Sequence, residues 1–319
     1  MKRNSVILAA LLSTTAFYTA SAEEIRYGLW AQPGEAQYEG AVEFKRVIEE
    51  NSDHTVTLYP GDQLGTPREI LAQMALGSTQ ILASGDPGIA EIEYLALPYL
   101  MDSIEDYRAV LDTDFGREWN QKLIDERMVR MLGFMPRSPR QISANRVIES
   151  MADLEGLKIR APERDYYVQS LAALGANPTP MAFAEVYTSL QTGIVDGQEN
   201  PIETIYAQSF YEVQESVAMV DYIDKPAYVV VSEVFWDGLS EDDRALLQEA
   251  NEASTARIME LLPEQEEQYM AEMEEAGIQF TYPDKAPFIE ATQSVRDALG
   301  TEAWGEEIYN RIVEIAAEQ

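Results

Sequence analysis

The sequence contains no cysteine and only one histidine, His54, among its 319 residues. The first absence excludes disulfides, thiolate metal sites and cysteine nucleophiles together. The second excludes metal sites built on several histidines and leaves acid–base chemistry near neutral pH without its usual residue. Nothing around His54 supports a catalytic role, so it is expected to be a surface residue at a strand start. No GxxxxGK[ST] or GxGxxG phosphate loop occurs. The stretch Asp112-Thr113-Asp114-Phe115-Gly116 begins like a calcium loop but has glycine at its fifth position, which favours a helix-flanking turn. No cofactor, no metal and no enzymatic reaction are therefore expected. Paired carboxylates of the glycosidase kind are not evidence here, because 56 acidic residues supply pairs everywhere.

Basic residues are also scarce: 23 Lys and Arg stand against 56 Asp and Glu, a formal net charge of −33. Nucleic-acid binding needs a basic surface and is disfavoured. The acids are spread along the chain with no acidic tail, so the excess does not imply disorder. Dense carboxylates keep a protein dissolved where salt screens charge, which leads to the expectation of a salt-adapted source organism. No run of roughly 20 uncharged apolar residues follows the first 22, so no membrane helix is expected.

What is present begins with a leader. Lys2 and Arg3 precede the apolar run Val6 to Leu12, and a small-residue stretch ends in Ala20-Ser21-Ala22. This order is that of a secretory signal, residues 1–22, cleaved after Ala22 and directing the protein to the periplasm. The remaining chain has room for two domains of roughly 150 residues. Strand and helix patterns alternate. A strand is predicted over Glu24–Trp30, a helix over Tyr38–Glu50, a strand over His54–Tyr59, a helix over Pro67–Leu76 and a short strand over Gln80–Ala83. A helix from Ser103 toward Asp125 and a strand over Met128–Phe134 follow, so the first half reads as α/β. A second series starts at Leu157, with a helix near Asp165–Leu174, a break at Pro178-Thr179-Pro180 and a helix near Ala182–Gln191. Ala227–Ser232 is an apolar strand. Ser240, followed by Glu241, Asp242 and Asp243, caps a helix that can run to about Glu275 and so span both lobes.

The informative stretch is Leu154 to Pro201. In Leu157-Lys158-Ile159-Arg160, alternation places Arg160 at the carboxyl end of a strand, just before Ala161-Pro162. In open α/β sheets that end faces the ligand crevice, where a guanidinium offers a two-pronged fork to a carboxylate. A surface arginine paired with a nearby acid fits the spacing equally well. Asn200 before Pro201 suits a helix cap. Phe183 shares helical spacing with Val186, Tyr187 and Leu190, which makes it either core-facing or the floor of a pocket.

The runs GLKIRAP (156–162) and LGANPTPMAFAEVYTSLQTGIVDGQENP (174–201), with LYPGDQLG (58–65) and LALPYL (95–100), resemble the solute-binding proteins of tripartite ATP-independent periplasmic (TRAP) transporters. The similarity extends over nearly all the chain after the leader. It implies a two-lobed α/β periplasmic binding protein fold, each lobe a mixed, mostly parallel sheet flanked by helices and joined by hinge strands and the long helix. The lobes are expected over 23–137 with 226–265 and over 138–225 with 266–319. It further implies a monomer that closes on a small organic acid, clamps the carboxylate with Arg160 and delivers it to TRAP membrane subunits. In the sialic-acid branch, offsets of twenty residues back and forty forward fall on Arg140 and Asn200, and Phe183 matches an aromatic that packs on the ligand. Where that branch has a glutamate after the third strand, this chain has Gly85 and then Asp86, so sialic acid is not the expected ligand. Asp86, Glu163 and Trp30 are expected as cavity walls, able to meet hydroxyls, an ammonium or a sugar ring. A sugar acid such as a uronate is the first expectation, and a compact zwitterion or a dicarboxylate the second.

Overall fold

The computed structural model describes residues 22–61 and 63–318; the leader expected over 1–22 lies, but for Ala22, outside them. The strands, in chain order, are β1 (Glu24–Leu29), β2 (Thr55–Pro60), β3 (Ile81–Ser84), β4 (Val129–Met135), β5 (Arg140–Ala144), β6 (Lys158–Ala161), β7 (Asn177–Pro180), β8 (Gly197–Asn200), β9 (Ser216–Ile223), β10 (Ala227–Ser232) and β11 (Gln279–Thr281). They form two sheets, ordered β2-β1-β3-β10-β4 and β11-β9-β5-β8-β6-β7. Each sheet is parallel apart from one reversed strand, β10 in the first and β5 in the second. Those two are the strands the chain enters from the other sheet. β4 passes to β5 through Pro136–Pro139, and β9 to β10 through Asp224–Pro226. Strands that arrive from opposite lobes must run against their new neighbours. Prolines 136, 139 and 226 fix φ in these short crossings.

The third link is the helix Glu241–Glu275, 35 residues long. Ser240 caps it by accepting a hydrogen bond from the Asp243 amide, and three acids in its first turn meet the positive end of the helix dipole. Its first half packs against the helix Ala36–Asn51, where Gly40 lets Ile258 lie on the backbone; a Cβ at residue 40 would collide with that side chain. Its second half reaches the other lobe, where Met273 is buried with Phe210 and Val217. Pro263, inside the helix, has no N–H to give the carbonyl one turn back. One buried cluster also runs from lobe to lobe. Tyr107 meets Phe134 and Tyr228 of the first sheet edge-on, and the same cluster continues to Ile142, Ile159, Tyr166 and Tyr222 on the other side.

Several local expectations are corrected. The single helix expected from Ser103 divides into Ile104–Leu111 and Asp114–Arg127, because Thr113 ends one and caps the next, accepting from the Gly116 amide at 3.1 Å. The Pro178-Thr179-Pro180 break is the edge strand β7. Asn177 and Met181 donate to the carbonyls of Leu157 and Ala161, while the prolines take the alternate positions, where no donor toward β6 is needed. His54 is buried: its Nδ1 accepts from the Glu23 amide and its Nε2 lies 3.4 Å from Asp243, so it ties the chain start to the long helix.

Candidate ligand-binding site

Between the sheets lies a cavity of about 290 Å³ at the carboxyl ends of β3, β6 and β7. Gly85, Asp86 and Glu93 line it from the first lobe; Arg140, Arg160, Glu163, Arg164, Tyr167 and Phe183 from the second; Arg137 and Lys225 from the two crossings. This is the place where open α/β sheets bind ligands, since strand ends there leave backbone and side chains facing a crevice. A larger groove of about 550 Å³ runs between Tyr99 and the C-terminal helices, but its one cation is spent internally: Arg296 donates to the carbonyls of Pro98 and Tyr99, and Asp297 accepts from Tyr309 at 2.6 Å.

Arg160 sits at the end of β6, 4 % exposed. Its Nε and Nη2 donate to the Met181 carbonyl at 3.3 and 3.0 Å, the position that follows β7, and its guanidinium lies 5.8 Å from the Phe183 ring centre. Of the five guanidinium N–H groups, this leaves both on Nη1 and one on Nη2, the two-pronged outer edge. No carboxylate lies within 4 Å of it among the described residues. Burial pulls its pKa down; Glu199 opposes this at longer range, and Arg140 adds to it. An arginine in that position would gain from a carboxylate that came to it.

Arg140, at the start of β5, is different. Register places β5 against β8, and Arg140 clasps the Glu199 side chain through Nε and Nη2, with further bonds to the Glu199 carbonyl at 2.7 Å and Asn200 Oδ1 at 3.0 Å. Burial works most strongly against its charge, but Glu199, Tyr167 and Tyr222 together outweigh it and hold the pKa well above the usual arginine value. Arg140, which the resemblance places among the ligand-binding residues, thus lines the cavity but brings its own counter-charge.

The other expected residues divide. Phe183 lines the cavity and is 45 % exposed, so it is a wall and not a core residue. Glu163 lines it and has no ion pair among the described residues. Asp86 lines it too, but its carboxylate is taken by the Gly88 amide and by Arg164, both at 2.8 Å. Asn200 lies behind the lining, its amide spent on Arg140 and on Gln198 at 2.5 Å. It does not cap a helix, since Pro201 holds that position. Trp30 is not among the lining residues; it is screened from the cavity by Arg137, whose guanidinium lies 5.2 Å from the centre of its ring.

Sequence reasoning missed three groups. Arg164 bridges the lobes, with Nη2 on Asp86 and Nε on Glu93, each at 2.8 Å. Arg137 lies 3.6 Å from Glu203 and donates to Thr204. Lys225 is described below. The available signal for Arg137 and Lys225 was their placement in short proline-flanked links between strands, PRSP and DKP, and for Arg164 its place just after the strand end that carries Arg160.

Two lobes joined by three crossings around a cation-lined cleft define a solute-binding protein. Residues 27–302 match the model of the DctP family, bacterial extracellular solute-binding protein family 7, and the chain belongs to that family. It is 34 % identical over 296 residues to the sialic acid-binding periplasmic protein SiaP of Vibrio cholerae, covering 91 % of this chain and 92 % of the relative. A TRAP periplasmic solute-binding protein of Roseobacter denitrificans, solved with bound L-galactonate, superposes with a TM-score of 0.79 at 31 % identity, over 93 % of this chain and 99 % of that one. Another, from Bradyrhizobium, solved with α/β-D-galacturonate, gives 0.80 at 26 % identity, over 91 % and 99 %. The family is one of non-enzymatic transport proteins, and among the described residues no helix is long and apolar enough to cross a membrane.

Proposed function

We propose that this protein captures a sugar acid, a uronate first among them, in the periplasm and passes it to the membrane subunits of a TRAP transporter. Residues 1–22 act as the export signal. The ligand carboxylate meets the free edge of Arg160, and closure of the two lobes, 23–137 with 226–265 against 138–225 with 266–319, excludes water and strengthens that pair. The observation that carries this reading is a buried guanidinium, oriented by a backbone carbonyl, with no acid of its own and a cavity beside it.

The half-exposed ring of Phe183 supports a sugar over a plain dicarboxylate, because the C–H face of a pyranose or a polyol chain covers such a ring while its hydroxyls find donors and acceptors around it. Capture at micromolar concentration needs about 8 kcal/mol, within reach of one bidentate arginine, a few hydrogen bonds and aromatic contact. The ligands recorded for two relatives, galactonate and galacturonate, are of this chemistry. Thermal-shift screening of sugar acids, dicarboxylates and zwitterions tests it. A sugar acid should give the largest shift, and Arg160→Ala should abolish most of it; best stabilisation by a ligand without a carboxylate would overturn the reading.

A further inference from the structure

Lys225 lies in the Asp224–Pro226 crossing and is 7 % exposed. Its only hydrogen bond is to the Tyr166 hydroxyl, at 3.0 Å, and its ammonium stands 5.7 and 5.9 Å from the ring centres of Tyr166 and Tyr228. No carboxylate lies within 4 Å among the described residues. Every other cation of the cavity except Arg160 is compensated. Arg140 is paired with Glu199, Arg137 faces Glu203 and Arg164 holds both Asp86 and Glu93. The cavity therefore carries two positive groups with no carboxylate within 4 Å among the described residues, and one acid, Glu163, outside any ion pair, in a protein whose formal net charge is −33. One ligand carboxylate on Arg160 leaves the ammonium of Lys225 still unmatched, and an isolated buried charge is costly.

We propose that Lys225 is a second ligand-facing cation. It restricts the site to acids whose carboxylate is accompanied by further oxygen acceptors, hydroxyls or a second carboxylate, and it rejects zwitterions, whose own ammonium would be brought toward it. One of its three N–H groups is held by Tyr166, which leaves two for the ligand. It sits in the link where the chain passes from the second sheet to the first, at the boundary of the two lobes. The inference rests on the reading of Arg160 as the carboxylate clamp.

The test is calorimetric titration of the wild type, Lys225→Gln, Lys225→Met and Lys225→Arg with D-galacturonate, its diacid galactarate, and glycine betaine as the zwitterion. Glutamine keeps a donor for Tyr166 without the charge, so it decides the matter if the methionine variant fails to fold; melting of the unliganded proteins checks this. The wild type should bind the two acids and not the betaine. Loss of the charge should weaken both acids at least tenfold, the diacid most, while arginine retains them within about threefold. A folded Lys225→Gln protein that binds the acids within twofold of wild type would overturn the proposal and leave the Arg160 reading standing, as would a wild type that prefers betaine. A wild type that binds none of the three overturns both.

Discussion

The two lobes contribute unequally to the charge of the cavity. The first presents the acids Asp86 and Glu93; the second presents Arg140, Arg160 and Arg164 against one acid, Glu163, with the aromatic wall of Tyr167 and Phe183. The second lobe thus resembles a seat for an anion, and the first a cover whose acids are taken up by Arg164 across the gap. Within the seat, two arginines twenty residues apart differ again. Arg140 is balanced by its own lobe, whereas Arg160 is held only by a carbonyl. A buried guanidinium with an acid is part of the fold; one without an acid is available for a ligand.

That distinction is open to test, beginning with the largest effect. Glu199→Gln leaves the Arg140 charge buried and alone, and should lower stability by about 3 kcal/mol or more in denaturant unfolding. A loss below 1 kcal/mol would mean that Arg140 does not depend on it. Arg160→Ala should do the reverse. Affinity for the best acid in calorimetry should fall by about 2 kcal/mol or more, with little change in the unliganded melting temperature.

Asp224, beside Lys225, gives a pH dependence. Burial, with Asp102, Asp221, Asp106 and Glu203 adding to it, pushes its carboxyl up from 3.8 to about 7. The folded protein then holds a proton that the unfolded chain has already released, so this group makes stability decline between about pH 4 and pH 7 and level off above. Asp224→Asn should stabilise by about 2 kcal/mol at pH 8 and hardly at all at pH 4.5. Melting curves at the two pH values check the sign, and equal shifts would refute it.

The smallest effect is expected where the lobes meet in solvent. Arg164→Ala removes a cross-lobe pair whose arginine side chain is 46 % exposed, so it should change ligand affinity by less than about 1 kcal/mol. Even that should vanish in molar salt, where the screening length is about 3 Å. The acidic surface makes a companion expectation: solubility and melting temperature should rise from dilute buffer to molar salt, and identical behaviour in both would remove the salt-adaptation reading.

Local patterns carried most of the fold. Ala227–Ser232 and the helix ending at Glu275 were legible because a continuous apolar run and a serine followed by three acids are signals within a few residues. The position of Arg160 followed from strand alternation and the proline behind it. What could not be read were pairings between segments distant in sequence. The Arg140–Glu199 clasp depends on β5 meeting β8, 59 residues apart in sequence, and the Arg164 bridge on the approach of two lobes. Asn200 looked like a cap because its strand neighbours are invisible from the sequence on either side of it. Trp30 ends its strand in the direction expected, but Arg137 from a distant link lies over its ring.

The support of Arg160 by the carbonyl of residue 181 has an evolutionary consequence. A main-chain oxygen is supplied by any amino acid, so the brace itself does not depend on which side chain stands at position 181, and the geometry that aims the guanidinium is inherited through the pairing of two strands. Comparing residue identities among relatives would then pass over the brace entirely, although displacing the strand that carries it would misdirect the charge as surely as deleting the arginine.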